Sequence, residues 1–235
     1  MITLYKFGRL GNLVDPSPPC LKVDSYLRMA GLEYQTVDGV DGLRKAPKGK
    51  LPYIEDNGAV IPDSTFILHY LKDKYGDSVD GHLDDEEKAT THAFMKMMDE
   101  NLYWGVVHSR WMLEENWPKL KRIFFGGIPA LLREFIAPRV RKKVRSSLYG
   151  HGIGRHSDAE IAELCAWDLK ALSDFLGEKV WFHGEKASSL DACAYGVLAQ
   201  LFLQEEFTGP LYEKAKSFDN LVSFTQRFHR TYYES

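Results

Sequence analysis

The sequence predicts two parts: an α/β part built on a mixed four-stranded sheet, followed by an all-α part. Three observations predict it. Over residues 1–76, short β-prone runs and helical runs alternate in the order β-α-β, a short turn, then β-β-α. A hairpin following a βαβ unit gives a sheet with parallel and antiparallel pairs, with helices packed on it. After the polar stretch "GDSVDGHLDD" no run alternates as a strand does, and helical patterns occupy residues 84–235.

Each element has a local reason. "ITLYKF" is short and β-prone. A Pro-rich loop leads into "CLKVDSYLRMAG", where Leu21, Tyr26, Leu27 and Ala30 fall close to helical spacing and Gly31 is a natural stop. "EYQTVD" alternates as a strand, and "DGLRKAPKGK" holds at most one helical turn. "LPYIEDNGAVIPD" reads as a hairpin turning at Asp56-Asn57-Gly58, residues that accept positive φ. "STFILHYLKDKYG" opens at a good N-cap and closes at Gly76. Helices are then expected over 84–114, 118–146, 157–177, 189–204 and 217–231.

Composition narrows the class. The chain has 235 residues, 44% hydrophobic and 27% charged, as in ordinary globular proteins of one large or two small domains. A net charge of −3 gives no reason to expect a nucleic-acid partner. The start "MITLYKFGRLG" lacks the pattern of a secretory signal, and no stretch approaches the roughly 18 uninterrupted apolar residues of a membrane span. Cys20, Cys165 and Cys193 are odd in number and widely spaced, so a disulfide framework is not expected and a reducing cytoplasm is the natural setting.

Three short segments carry chemistry, and each also has a plain structural reading. Ser17-Pro18-Pro19-Cys20 is a well-formed helix start, with Ser as N-cap and Pro in the first turn. The N-terminus of a helix in general carries exposed N–H groups and about half a positive charge, which favours a thiolate placed over it. Lys50-Leu51-Pro52 precedes a strand, where Pro is tolerated; a cis bond there would turn Leu51's backbone out of the sheet toward an extended ligand. Asp63-Ser64 opens a helix, so one of the two is its N-cap; free N–H groups there would hold a carboxylate, and the Asp63 side chain an ammonium group.

Taken together, S-P-x-C at a loop-helix junction, G-K-L-P before a hairpin and P-D-S before a helix, in β-α-β-β-β-α order, resemble the thioredoxin-like domain of the glutathione transferases. "FHGEKASSLDACAYGVLA" extends the resemblance: Phe182-x-Gly184 followed by Ser188-x-x-Asp191 is similar to the capping box of that superfamily's helical domain. "SPPCLK" and "YLRMAG" are similar to the branch of bacterial relatives of the failed-axon-connections and metaxin proteins. The resemblance implies glutathione as co-substrate and no metal. It places Ser17 at the thiol-activating position. It has Leu51 pair with the cysteinyl unit beside a cis Pro52, Asp63 and Ser64 bind the γ-glutamyl end, and Lys50 meet the glycyl carboxylate. The long loop Gly8–Pro16 leaves the reach of Ser17 open, and Tyr5, near the place where other classes keep a catalytic tyrosine, ranks below it.

The helical part offers a candidate substrate wall. Met97, Asn101, Trp104, His108 and Trp111 follow 4-3-4-3 spacing on one face, while Phe94, Met98, Leu102, Val106 and Leu113 look like core. A core stripe with a satisfied His108 is an equal reading, and no second ligand at matching spacing supports a metal. The run 133–156 is the one basic patch of the chain, readable as a solvated helix face or as steering for an anionic substrate. The expectation is a glutathione transferase whose bound thiolate attacks a small hydrophobic or electrophilic substrate. Two alternatives stand beside it: a thiol-disulfide oxidoreductase using Cys20, and a non-catalytic metaxin-like binding module. A homodimer is left open.

Overall fold

The computed structural model describes residues 1–234. Its sheet holds β1 (Ile2–Lys6), β2 (Tyr34–Asp38), β3 (Tyr53–Asp56) and β4 (Ala59–Pro62) in the order β2-β1-β3-β4. β1 pairs parallel with β2 and antiparallel with β3, and β3 with β4. The hairpin turns where Asn57 and Gly58 take φ of 49° and 85°, the two positive angles that a tight turn matching strand twist requires. Helix α1 (Pro18–Met29), the single-turn α2 (Gly42–Lys45) and α3 (Ser64–Tyr75) complete this thioredoxin-like domain.

α1 is buried along nearly its whole length because it is packed from both sides. One side meets the sheet, where Ile2, Leu4, Val23, Leu27 and Ile54 form a core. The buried Asp24 accepts from Lys6, from Arg28 Nε at 3.0 Å and from the Tyr34 hydroxyl at 2.5 Å, so charge as well as apolar contact joins helix to sheet. The other side meets the helical domain.

That domain begins with α4 (Asp85–Met97), passes without a break through a π-helical segment (Met98–Leu102) and continues as α5 (Tyr103–Trp111). α6 (Trp117–Phe125) and α7 (Ala130–His151) follow, then α8 (Asp158–Leu176), α9 (Ser189–Phe202), α10 (Pro210–Ala215) and α11 (Asp219–Tyr233). The run expected as one helix over 118–146 is two helices, because Gly126, Gly127 and Pro129 interrupt it. α10, for which six residues gave no periodic signal, was not expected. The polar linker is more than a spacer: its Asp80 is buried, accepts from the Ser189 amide at 2.6 Å and pairs with Lys72, and so fastens α3 to the start of α9.

α9 is the centre of the molecule. Every residue from Ser189 to Leu201 is buried. Its capping box closes as expected: the Ser188 amide donates to Asp191 Oδ2 at 2.7 Å, and the Phe182 amide donates to Oδ1 at 2.9 Å. α9 lies directly on α1, and Gly196 permits the approach. A Cβ there would stand 2.8 Å from the Pro18 carbonyl oxygen and 3.2 Å from the Lys22 nitrogen, both backbone atoms with no freedom to yield. Gly196→Ala is therefore expected to lower stability by about 1–3 kcal/mol through overpacking. A urea titration reads this directly; an unchanged midpoint would mean the two helices are not held as described.

Candidate active site

Three chain segments converge on one cleft of about 560 Å³ between the two domains. Ser17, Lys50, Leu51, Pro52, Asp63 and Ser64 all line it. The sequence spacing between them is large, but the end of β1, the start of β3 and the end of β4 lie at the same end of the sheet.

Ser17 is the N-cap of α1, with extended backbone and no side-chain capping bond to the helix's amides. Its hydroxyl is thus not spent on capping. The loop before it is short in reach despite its length. Leu10 and Leu13 exchange backbone hydrogen bonds of 2.9 and 3.0 Å across a tight turn. Leu13 and Val14 then pack into the helical core. Asp15 closes the loop, accepting from the Gly8 amide at 2.8 Å and the Ser17 amide at 2.9 Å. Burial pushes the Asp15 carboxyl up to about 7, against the pull of these two amides.

Cys20 sits one turn inside α1 and has no exposed surface. Burial drives its thiol well above the ordinary range, with the nearby Asp15 adding to the rise. A thiol in that state is neither a ready nucleophile nor reachable by a disulfide substrate.

The Leu51–Pro52 peptide bond is cis. The Leu51 side chain packs inward with Cys20, Ala46 and Tyr53, and the strand ladder starts only at Tyr53. The backbone of Leu51 is therefore outside the sheet pairing and available at the cleft. Lys50 is exposed on the rim, and so is Lys48, which lies 4.6 Å over the Phe66 ring; nothing in the spacing distinguished Lys48 beforehand.

Asp63, rather than Ser64, caps α3. Its Oδ1 accepts from the Thr65 amide at 3.0 Å and the Phe66 amide at 3.4 Å. The expectation of free amides at this helix end is corrected accordingly: two are taken by Asp63 itself, and Oδ2 is the oxygen outside this capping. Asp63 has φ of +78°, a region unusual for a residue with a side chain and one that tends to occur where a site holds a residue in place.

The helical wall differs from the stripe chosen in the sequence. The cleft is lined by Lys96, Asp99, Glu100, Tyr103 and Trp104. Of the expected wall only Trp104 is present, stacked on His151 with centroids 5.0 Å apart. Asn101 instead donates to Asp168 Oδ2 at 2.6 Å. His108 is buried 3.4 Å from Asp158, and burial lowers its pKa. Trp111 packs among Trp117, Phe124 and Phe125. The apolar stripe thus faces neighbouring helices, and the polar stripe faces the cleft. Asp99 is held there by the buried Lys22 of α1 at 2.7 Å, an ion pair across the domain boundary. Tyr5 also lies outside: its ring stacks on Tyr53 at 4.1 Å and its hydroxyl donates to Glu55 at 2.9 Å.

Comparison with known proteins places the fold. Residues 18–116 match the family model of the glutathione S-transferase N-terminal domain, and residues 165–228 that of the C-terminal domain. Isoprene-epoxide–glutathione S-transferase of Rhodococcus sp. is 34% identical, over 99% of this chain and 99% of that protein. The chain belongs to the glutathione transferase superfamily. Failed axon connections of Drosophila melanogaster is also 34% identical, over 97% of this chain, which spans 57% of that longer protein. Human metaxin-2 is 25% identical, over 94% of this chain and 84% of its own length. Among solved structures, the beta-etherase LigF of Sphingobium sp. has a TM-score of 0.69 at 20% identity, covering 97% of this chain and 94% of that one. A glutathione S-transferase of Ceriporiopsis subvermispora has a TM-score of 0.64 at 19% identity, covering 99% and 96%. These last two share the transferase fold with this chain.

Within that transferase fold, the raised Asp15 makes a testable statement about pH. Its ordinary value is 3.8 and its folded value about 7, so folding takes up a proton in the interval between them. Its contribution is most favourable at pH below the ordinary value and is lost as pH rises through 7. Asp168 and Asp191, each raised to about 6 by burial, act in the same direction. Asp15→Asn removes one of the three titrations, so the variant's thermal midpoint should fall less than the wild type's between pH 5 and pH 8. Equal slopes in a melting series would show that Asp15 titrates near its ordinary value.

Proposed function

We propose that this protein is a glutathione transferase in which glutathione lies along the cleft with its sulfur over the N-terminus of α1. The observation that carries the reading is the convergence of Ser17, the Leu51–Pro52 turn and the Asp63-Ser64 helix start in one cleft. The donor set fits the tripeptide end to end. Asp63 Oδ2 accepts from the γ-glutamyl ammonium, and Ser64 donates to its carboxylate. Leu51's free backbone N–H and C=O pair with the cysteinyl unit. The exposed Lys50, joined by Lys48, meets the glycyl carboxylate.

The thiol then rests beside Ser17. The Ser17 hydroxyl donates to it, and the helix N-terminus adds a fixed positive potential, so the thiolate is favoured near neutral pH. The electrophile is held against Tyr103 and Trp104, which line the same cleft as Ser17. The relative from Rhodococcus carries an epoxide in its name, and an epoxide is the substrate class we assign first. The sulfur forms a bond to a ring carbon, the carbon–oxygen bond breaks, and its electron pair stays on oxygen, which takes up a proton. The thiol's own proton leaves to solvent.

The buried, high-pKa Cys20 speaks against the oxidoreductase alternative, since no second cysteine stands at Ser17. The similarity to metaxins supports one other reading, a module that binds without turnover.

Consumption of glutathione thiol in the presence of small epoxides tests the proposal. Ser17→Ala should lower kcat by up to about 10²-fold, the helix terminus retaining part of the effect. Cys20→Ala should leave turnover within about twofold; the reverse pattern, with Ser17→Ala harmless and Cys20→Ala inactive, would establish redox chemistry instead. Asp63→Ala should weaken glutathione binding by about tenfold or more in calorimetry, as loss of a charged hydrogen bond implies. Tight glutathione binding with no thiol consumed by any electrophile class would favour the binding module.

A further inference from the structure

The basic run of the sequence lies on α7, away from the cleft. α7 runs antiparallel to α5: His151 meets the Glu100 carbonyl at 2.9 Å at one end, and Arg141 donates to the Trp111 and Met112 carbonyls at the other. Residues 130–140 therefore extend past the end of α5, by about 15 Å at 1.5 Å per residue. They are carried on α6, through the Lys121–Glu134 ion pair and the fully buried Ala137.

Four large apolar side chains stand out on this projection. Leu131 is 81% exposed, Phe135 62%, Leu132 55% and Ile136 38%. Helical spacing puts them on one side of α7, and the same side continues through Arg139, Lys142 and Lys143, with Arg145 at its edge. Lys142, Lys143 and Arg145 form no ion pair among the described residues, whereas Val140, Val144 and Leu148 turn inward to the core. One continuous exposed face thus has an apolar end and a basic end, without a carboxylate of its own: Glu134 lies off it, bound to Lys121.

We propose that this face docks on an anionic lipid bilayer. Leu131, Leu132, Phe135 and Ile136 enter the headgroup region, and Arg139, Lys142, Lys143 and Arg145 meet lipid phosphates and carboxylates. Charge decides between occupants. A second copy packed over the whole face would set its cations either against the same cations, with the helices parallel, or against the apolar end, with them antiparallel, and in neither case against an anion. An anionic membrane supplies those anions and also takes the apolar end out of water. No helix among the described residues is long and apolar enough to cross a membrane, so the contact is lateral. His151, at the cleft wall, is about 30 Å along α7 from Leu131, which leaves the cleft open to solvent when the face is occupied.

Co-sedimentation with phosphatidylcholine vesicles, with and without about one quarter phosphatidylserine, tests this. The full chain should pellet with the anionic vesicles only, and high salt should release it. Leu131→Ser combined with Phe135→Ser should weaken vesicle binding at least about tenfold while leaving the thermal midpoint unchanged. Lys142→Glu combined with Lys143→Glu should abolish the preference for phosphatidylserine. In the wild type, hydrogen exchange over residues 131–136 should slow when anionic vesicles are added, a readout that needs no variant. Absence of wild-type binding to either vesicle, unaltered binding by the apolar variant, or exchange protection elsewhere overturns the proposal. So does a concentration-dependent dimer that the apolar variant dissolves, which would assign the face to a second copy.

Discussion

Arg110 is 4% exposed, and its guanidinium reaches from the helical domain into the loop that presents Ser17. It donates to the Pro16 carbonyl at 2.9 Å and to two oxygens of Gln200, at 2.8 and 3.2 Å. Gln200 in turn donates to the Asp15 carbonyl at 3.1 Å. A charge buried this deeply is tolerable only when such acceptors surround it. One acceptor, the Pro16 carbonyl, belongs to the loop, and Gln200 is itself bonded to the loop, so the loop cannot leave without taking one acceptor from the cation and the Asp15 carbonyl from Gln200. The position of Ser17 therefore depends on α5 and α9, elements of the other domain.

The same coupling explains why the protein's own thiol is buried while Ser17, one turn before it, lines the cleft. α1 is pressed between the sheet and α9, with Gly196 admitting its backbone. One turn in, Cys20 has lost all contact with water and stays protonated. At the mouth of the helix Ser17 still lines the cleft; Pro18 and Pro19 carry no N–H, so the Ser17 hydroxyl and the partial positive charge of the helix end are what this end offers an anion. One helical turn separates the buried Cys20 from Ser17 at the cleft.

Across the cleft, the α4–α5 wall shows what burial selects. Its apolar and aromatic residues are consumed by contacts to α6 and α8, because the helical domain needs them for its core. What remains for the cleft is Lys96, Asp99 and Glu100 on the polar side, with Tyr103 and Trp104 at the boundary between the two. The π-helical turn Met98–Leu102 sits at this boundary. Segments of this kind are frequent at functional sites, since the added residue re-aims the side chains that follow.

The elements of this protein were written in local sequence, and so was its membership of the transferase fold. Strand alternation, the Asn57-Gly58 turn, the Asp63 and Ser188 caps and the Gly31 stop each rest on interactions within a few residues, which a linear reading can weigh. The segments carrying Ser17, Leu51 and Asp63 were legible for the same reason: each is a helix or strand boundary with its own chemistry. The helical wall was not legible. Asn101, His108 and Trp111 form as regular a stripe as Lys96, Glu100 and Tyr103, and periodicity says only that a helix has two faces. Which face meets water and which meets α6 and α8 is decided by long-range packing. Likewise nothing near Arg110 in the chain announces that it would hold a loop 94 residues away. Local hydrogen bonding determined the pieces; burial of charge and apolar surface between distant pieces decided what faces the cleft.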